Sequence, residues 1–367
     1  MARLSRVEVF SASEVAIVHV LNRVVRRCFL LGDDPVSGKN YDHRKEWIEE
    51  LLKRFSACFG IDLLAFAIMS NHFHLILRSR PDVVGTWDDT EVARRWLLLC
   101  PVRKTADRSP EEPNDVELNT IRNDAEKLAT IRLRLSDIGW WMRLLCQQVA
   151  VRANHEDQEM GKFWQSRFKA VRLLDEQALL ACAAYVDLNP IRAAMAEALE
   201  KSDFTSVQRR IQSVKAAVKS QSTEDEVSAG LRAETVSATP DGFLSPISLG
   251  ERRGRPGPKP SRNGQRCSDR GFLPWSQEDY LQLLDWTSRH TSTIKPGRTP
   301  EDLQPLFERL GLDAKTWCEL VSGFGQLFFN VAGRPQTIDA TPSRLTRQRY
   351  HVRSRARKLF ASGSSSA

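Results

Sequence analysis

The order of apolar and polar positions predicts strands and helices that follow one another along the first half of the chain. Short runs rich in β-branched residues, such as AIVHVLNRVV, are typical of strands, and longer runs with apolar side chains every three or four residues are typical of helices. Two apolar runs meet at Ser70 and Asn71, which indicates a hairpin. The predicted strands are 16–25, 61–70, 72–79 and 167–174, and the predicted helices are 43–60, 89–99, 136–154 and 176–188, with Ser136 and Asp175 as N-caps.

This succession favours an α+β fold in which an antiparallel sheet carries its helices on one face. The hairpin in the middle argues against a simple series of βαβ units. We expect residues 1–213 to form this first, catalytic domain. A polar, proline-containing stretch begins at residue 101, and it predicts a surface insertion that extends to about residue 135.

The second half of the chain changes in composition. Residues 214–270 are poor in aromatic side chains and rich in Ser, Pro, Gly and charge, which predicts a flexible basic linker. Two amphipathic patterns then predict a small helical domain at 271–340. The tail at 341–367 carries six arginines and one lysine before its final residues, with no acid among them, and this indicates a phosphate-binding segment.

Charge and cysteine content narrow the class of protein. The formal net charge is +8, which favours a polyanionic partner such as nucleic acid. The seven cysteines contain no C-x-x-C pair, so we expect neither a disulfide framework nor a cysteine zinc site. No run approaches the roughly 18 apolar residues of a membrane span, and we expect a cytoplasmic protein without membrane contact.

Two histidines interrupt the second strand of the hairpin, in MSNHFHLIL. Side chains alternate along a strand, so His72 and His74 should share one face while Phe73 points to the other. Two neutral imidazoles on one face provide half of a divalent metal site. Because H-x-H is a short motif, the pattern also suits two core histidines satisfied by hydrogen bonds, or two surface histidines on an edge strand.

A tyrosine in ACAAYVDLNPIRAAM gives the histidines a candidate partner. Tyr185 lies on a predicted helix among small residues, which would let another surface come close. Asn189 follows four residues later, so a continuing helix would place both side chains on one side. The phenol and the amide oxygen could then complete a metal and phosphate site with the two histidines. Alternatively, Tyr185 is a core tyrosine, and Asn189 is an N-cap with Pro190 at the first helical position.

Cations and aromatic rings alternate in GKFWQSRFKAVRLL. Lys162, Arg167 and Lys169 would neutralise phosphates, and Trp164 could stack on an exposed base of a single strand. We expect the two phenylalanines of this stretch in the core. The alternative is that all the aromatic rings are core and the cations are simply solvated.

Taken together, NHFH, GKFWQSRFK and AYVDLNPIRA resemble the motifs of the single-tyrosine HUH transposases. The chain looks most like the REP-associated tyrosine transposases and other relatives of the small insertion-sequence transposases. The resemblance covers residues 14–210, with the motifs in order, and rests on their combination because each alone is modest. Many relatives have glycine where this chain has Ala194, and the insertion and everything past residue 213 lie outside the minimal family domain.

The resemblance implies a ferredoxin-like HUH domain that binds single-stranded or hairpin DNA. It implies His72, His74 and Asn189 as metal ligands, with Mg²⁺ or Mn²⁺ as the cofactor. Tyr185 would be the nucleophile that forms a 5′-phosphotyrosine. We also expect Arg192, in the same motif, to contact DNA, and the protein to be a monomer or a homodimer.

Three other functions stay open at this point. The first is a domesticated DNA-binding regulator that has the fold but does not cut. The second is a metal-dependent hydrolase that uses the two histidines and a water nucleophile. The third is a replication initiator or relaxase with the same chemistry, although the order of the motifs favours a transposase.

Overall fold

The sheet has five strands in the order β2-β3-β1-β4-β5. The pairs β2–β3, β3–β1 and β1–β4 are antiparallel, whereas β4 and β5 run parallel, so the sheet is mixed rather than antiparallel throughout. The helix α2 connects β1 to β2 along the chain, and β3 lies between these two strands in the sheet. The strands are β1 Ile17–Arg23, β2 Ile61–Ile68, β3 His72–Ser79, β4 Lys169–Leu173 and β5 Val331–Ala332.

The computed structural model of the chain describes residues 6–25, 28–35, 37–106, 109–224, 239–249, 257–291, 307, 311–342, 350 and 352–363. Its helices are α1 Arg6–Val9, α2 His43–Cys58, α3 Pro81–Val84, α4 Asp89–Leu99, α5 Asp115–Arg122, α6 Ala125–Leu135, α7 Ile138–Asp157, α8 Glu176–Asp187, α9 Asn189–Arg192, α10 Ser206–Glu224, α11 Gln277–Thr291, α12 Ala314–Leu327, α13 Pro335–Ala340 and α14 Ser354–Gly363. Among these helices none has the length and apolarity needed to cross a membrane.

Helices cover both faces of the sheet, which corrects the prediction of helices on one face. On one side, Val18, Phe73 and Leu75 pack with α2 and with α4 to α7 in a first core. On the other side, Ile76 packs with α8, α11 and α12 in a second core. The α+β class is confirmed, and the alternation of side chains along β1 and β3 divides the two cores.

The predicted helix start at Ser136 is wrong by one residue. The N-cap of α7 is Asp137, whose carboxylate accepts a hydrogen bond from the Gly139 amide at 2.7 Å. The Ser136 hydroxyl instead donates to the Ala12 carbonyl at 2.9 Å. The second predicted cap is confirmed, because the Asp175 carboxylate accepts from the Ala178 amide at 2.9 Å.

The predicted surface insertion contains two helices, α5 and α6, that the polar composition did not reveal. Leu118, Ile121, Leu128 and Ile131 are buried in the first core. A capping box starts α5, since Asn114 and Glu117 each accept a hydrogen bond from the other's backbone amide. The stretch is therefore packed against α4 along its helical half.

Parts of the predicted linker also pack against the sheet. Arg78 and Arg80 at the end of β3 are buried, and both form ion pairs with Asp62, at 2.7 and 3.2 Å. The same cluster holds the later segment, because Arg78 donates to the Gly271 carbonyl at 2.9 Å and Arg80 to the Ser268 hydroxyl at 2.6 Å. Residues 225–238 and 250–256 of the linker lie outside the described residues.

The C-terminal segment shares the second core instead of standing apart from the sheet. Trp317, Leu320 and Phe324 of α12 are buried there, and β5 pairs with β4. The described part of the basic tail is also packed, since Arg357 pairs with Asp339 at 2.7 Å. The division into domains stays a prediction, and residues 343–349, 351 and 364–367 of the tail lie outside the described residues.

Candidate active site

The two histidines of β3 share one face of the sheet, as the strand alternation predicts. The ring centroids of His72 and His74 are 5.0 Å apart, with the planes at 78°. Phe73 points into the first core, where its ring meets that of Trp164 at 5.4 Å. The imidazoles therefore face the second core, on the side of α8.

A third histidine, His19 on β1, completes this cluster. Its Nε2 lies 2.9 Å from His74 Nδ1, and the two rings stack with centroids 5.1 Å apart. The contact runs diagonally between strands, because His74 pairs in register with Leu21. Sequence reasoning missed His19, although a single polar residue inside the apolar run AIVHVL was a signal of an unusual environment.

Burial keeps this cluster uncharged. It lowers the pKa of His19 and of His72 to about 4, with the positive charge of Arg23 adding to the effect at His72. Burial also lowers the pKa of His74 well below its ordinary value. The imidazoles are therefore neutral at pH 7, which is the form that offers a lone pair to a metal ion.

The helix α8 brings Tyr185 against the histidines. Small side chains from Ala181 to Ala184 are buried and allow α8 to approach the sheet closely. The Tyr185 ring meets that of His74 edge-on at 5.4 Å and that of His19 at 6.0 Å. The alternative of a purely core tyrosine therefore describes only part of its surroundings. Tyr185 packs against the second core, and its ring also borders the histidine cluster.

The environment of the Tyr185 phenol is apolar but flanked by cations. Burial raises the pKa of the phenol above its ordinary value, and the positive charges of Arg192 and Arg23 oppose that rise. The Arg192 guanidinium lies 5.1 Å from the centroid of the Tyr185 ring. Both cations would stabilise the phenolate relative to the phenol, so they lower the free-energy cost of deprotonating Tyr185.

Asn189 lies one turn after Tyr185, as the spacing predicts. It is the first residue of α9. The N-cap of that helix is Leu188, with no capping hydrogen bond from a side chain, so Asn189 is not the N-cap. Its side chain is close enough to the phenol to lower the pKa of Tyr185. Its Nδ2 is buried and has no hydrogen-bond partner. This nitrogen is a hydrogen-bond donor suited to an acceptor such as a phosphate oxygen, whereas a metal ion would take the Oδ1 of the same amide.

These side chains fit a divalent metal ion in chemical type. His74 Nε2 is buried without a hydrogen-bond partner, so this imidazole holds an unused ring nitrogen that could serve as a ligand. Neutral imidazoles and an amide oxygen are acceptable ligands for Mn²⁺ and, with phosphate oxygens and water, for Mg²⁺. No group of three or more His, Cys, Asp or Glu side chains suited to a metal occurs among the described residues, and the expected set of two imidazoles and one amide is not a group of that kind.

The residues predicted to contact DNA fall into two groups. Lys162, Arg167 and Lys169 are exposed. Trp164 is half-buried, its ring packs against Phe163 at 4.9 Å, and its Nε1 donates to the Cys146 carbonyl at 2.8 Å. A base-stacking role for Trp164 stays a prediction, and these internal contacts favour a structural role.

The helix α12 lies over the tyrosine, which the sequence did not indicate. The Phe324 ring meets the Tyr185 ring at 5.7 Å and the His19 ring at 6.1 Å. A Cβ on Gly325 would lie 3.1 Å from the Tyr185 hydroxyl. Arg192 also donates to the Ser322 carbonyl at 2.5 Å, so Ser322, Phe324 and Gly325 of α12 all lie against the site.

Comparisons with known proteins add little to this geometry. No protein-family model matches the chain, and no curated protein matches it. Among solved structures the chain is similar to that of a REP-associated tyrosine transposase bound to a REP hairpin, with a TM-score of 0.34 and 12% sequence identity. The match covers 57% of this chain and 86% of that one. A similarity of this size carries no weight for the function, which therefore has to be argued from the site itself.

Proposed function

We propose that this protein cleaves and rejoins single-stranded or hairpin DNA through a covalent 5′-phosphotyrosine on Tyr185, as a tyrosine transposase of the HUH type. The observation that carries the proposal is the contact of the Tyr185 ring with His74, inside a cluster of neutral imidazoles and beside the Asn189 amide. The strand order β2-β3-β1-β4, with β3 between β1 and β2, supports the ferredoxin-like reading of this domain.

The reaction needs no energy source beyond the DNA itself. The Tyr185 oxygen attacks the phosphorus, a new P–O bond to the phenol forms, and the bond from phosphorus to the 3′ oxygen breaks. The phenol proton passes to solvent, and the departing 3′ oxygen takes up a proton to become a hydroxyl. Attack of a 3′-hydroxyl on the phosphotyrosine reverses these bond changes and reseals a strand.

His72, His74 and Asn189 would hold Mg²⁺ or Mn²⁺ in this proposal. When bound, such an ion supplies Lewis-acid polarisation of a phosphoryl oxygen. The chain's own contribution is to keep both imidazoles neutral by burial and to fix the ring of His74 through His19. Binding of the rest of the strand falls to the exposed cations Lys162, Arg167 and Lys169.

The test uses labelled single-stranded oligonucleotides that carry the hairpin repeats flanking the gene. They are incubated with the protein and Mg²⁺ or Mn²⁺ and separated on a denaturing gel. We expect a slow, protein-linked band that Tyr185→Phe abolishes while DNA binding persists. The matched control is Tyr41→Phe, which alters a tyrosine that stacks on Arg44 and not on the histidine cluster.

The outcomes separate the competing functions. A Tyr185→Phe variant that still forms the protein-linked band would refute the assignment of the nucleophile. Cleavage without an adduct, unaffected by Tyr185→Phe, would indicate a hydrolase that uses water. Binding without cleavage would indicate a non-cutting DNA-binding regulator, a function that the position of α12 over Tyr185 favours as the second candidate.

A further inference from the structure

Arg23 is the last residue of β1 and lies beside the histidine pair. It pairs in register with His72 across the β1–β3 ladder, so the two side chains share a face of the sheet. His19 is four residues earlier on the same strand and points to that same face. The charge of Arg23 acts on His72, His74 and Tyr185, which places the guanidinium within electrostatic reach of all three.

One nitrogen of the half-buried Arg23 guanidinium has no partner in the protein around it. Its Nε is buried and has no hydrogen-bond partner. Within the described residues no carboxylate forms an ion pair with it, whereas the buried Arg78 and Arg80 share Asp62. An unpaired buried donor on a charged group costs free energy, so a cation in this state indicates a missing anionic partner.

The backbone holds Arg23 in place. The Gln165 amide donates to the Arg23 carbonyl at 2.8 Å, and the Val25 amide donates to the Phe163 carbonyl at 2.9 Å. Val24 also forms an isolated bridge with Trp164. The end of β1 is thus fixed by the segment that carries the exposed cations, and a rigid attachment suits a residue that orients a ligand.

Further cations extend the positive charge around Tyr185. Lys169 of β4 pairs in register with Leu21, and Leu21 pairs with His74, so the exposed Lys169 stands on the same face as the histidines. Arg192 lies over the tyrosine ring but already donates to the Ser322 carbonyl. Arg23 is therefore the cation next to the histidine pair with an unused buried donor.

We propose that the Arg23 guanidinium binds a non-bridging oxygen of the phosphodiester that Tyr185 attacks. The planar guanidinium fork matches the spacing of two phosphate oxygens, and a charged hydrogen bond in a buried site is strong. Arg23 would hold the phosphate against the nucleophile and stabilise the negative charge that the oxygens gain in the transition state. This inference rests on the proposed function and adds to it a residue of the phosphate site.

The experiment compares Arg23→Gln with the matched control Arg152→Gln. Arg152 is an exposed arginine of α7, stacked on Trp47, so both variants lose one positive charge. Single-turnover formation of the protein-linked band is measured on the hairpin oligonucleotide. We expect Arg23→Gln to slow it by about 10²–10³-fold, the typical effect of removing a transition-state donor, and Arg152→Gln to leave it unchanged.

A neutral methylphosphonate at the cleaved position tests the contact directly. If Arg23 binds that phosphate, wild type and Arg23→Gln should react equally slowly on the methylphosphonate strand. A variant as fast as wild type on the natural strand would overturn the proposal, as would a deficit that persists on the methylphosphonate. If Arg23→Gln does not fold, Arg23→Lys replaces it, and we expect that variant to be slowed on the natural strand alone.

A separate measurement keeps this inference distinct from the proposed function. If the wild type forms no adduct, the proposed function fails, and calorimetric titration with inorganic pyrophosphate then decides about Arg23. Binding lost in Arg23→Gln and kept in Arg152→Gln would support an anion site at Arg23. Equal binding by wild type and both variants would overturn it.

Discussion

His19 is a buried histidine whose only described polar side-chain contact is with another buried histidine. Its pKa is lowered to about 4 by burial, whereas a histidine of the unfolded chain titrates near 6.5. Between these values the unfolded state binds a proton that native His19 does not. The free energy of unfolding therefore falls as the pH drops through this window, and it is unaffected by this residue above about pH 6.5.

We expect His19→Gln to lose less stability on acidification than the wild type. The difference between pH 7.5 and 4.5 should be about 2–3 kcal/mol, since each unit of pKa difference corresponds to about 1.4 kcal/mol. Urea unfolding at both pH values measures it, with His155→Gln, an exposed position of α7, as the control. Equal losses in the wild type and His19→Gln would show that His19 is protonated in the native state.

Sequence spacing identified some site residues and missed others for a physical reason. His72 and His74 are two residues apart, and Tyr185 and Asn189 are four residues apart, so the periods of strands and helices predict the shared face of each pair. The structure brings these four together, while their roles stay predictions. His19 is a single polar residue on another strand, so its contact with His74 depends on the register between strands, which no local period reveals.

Ala194 shows a local cost that the resemblance only hinted at. It lies just after α9 with a φ of +54°, in the left-handed region where a Cβ costs about 1 kcal/mol. Glycine would adopt this conformation without strain, which gives a physical reason for glycine at this position in many of the transposases whose motif this one resembles. The motif ACAAYVDLNPIRAAM therefore contains candidate site residues together with a position whose residue type depends on the backbone conformation.

The same motif contains a residue whose role is structural. Asp187 is buried and accepts hydrogen bonds from the Ser206 hydroxyl, the Val207 amide and the Tyr280 hydroxyl. Its carboxylate thereby joins α8, α10 and α11. Asp187 fixes the direction of α8, and so the position of Tyr185, through partners that are distant in sequence.

At the scale of elements, the position of α12 over Tyr185 can be tested with two glycines of that helix. A methyl group on Gly325 would lie 3.1 Å from the Tyr185 hydroxyl, whereas one on Gly323 would meet the end of the Leu327 side chain at 3.3 Å. Glycine to alanine in a helix otherwise stabilises by up to about 1 kcal/mol.

We expect Gly323→Ala to stabilise the protein and Gly325→Ala to gain less or to destabilise it. In a Tyr185→Phe background the hydroxyl is absent, so Gly325→Ala should recover the gain, while the effect of Gly323→Ala should not change. Thermal unfolding of the single and double variants gives this double-mutant cycle. An effect of Gly325→Ala that is the same in both backgrounds would mean that α12 does not lie over the phenol.

Long-range packing explains why the elements outside the first half were predicted less well. The helix α12 covers a tyrosine from well over a hundred residues further along the chain, and Arg78 reaches the Gly271 carbonyl, which is 193 residues distant. Composition predicts a flexible linker up to residue 270 because the buried partners of that segment are not neighbours in sequence. The amphipathic pattern predicts the helix α12 but does not reveal what it packs against. The strands β1 to β4 and the helix α8 were predicted because their patterns are local, whereas the two-residue strand β5 was not predicted.

At the scale of the whole molecule, positive charge predicts how DNA binding depends on salt. Lys162, Arg167 and Lys169 are exposed, and the segment that carries them is tied to β1 beside the candidate site. For single strands the logarithm of affinity falls with the logarithm of salt by about 0.7 for each neutralised phosphate. Replacing all three with Gln in a Tyr185→Phe background, where no cleavage interferes, should therefore reduce the slope by about 2. Fluorescence anisotropy of the labelled hairpin strand across a salt series measures this slope.

The control replaces the exposed Lys201, Lys215 and Lys219, which removes the same charge near α10, on the β2 side of the sheet. If the DNA phosphates bind along Lys162, Arg167 and Lys169, only the first variant should show a smaller salt slope. Equal reductions in both variants would mean that DNA binding depends on the net charge of +8 rather than on this surface.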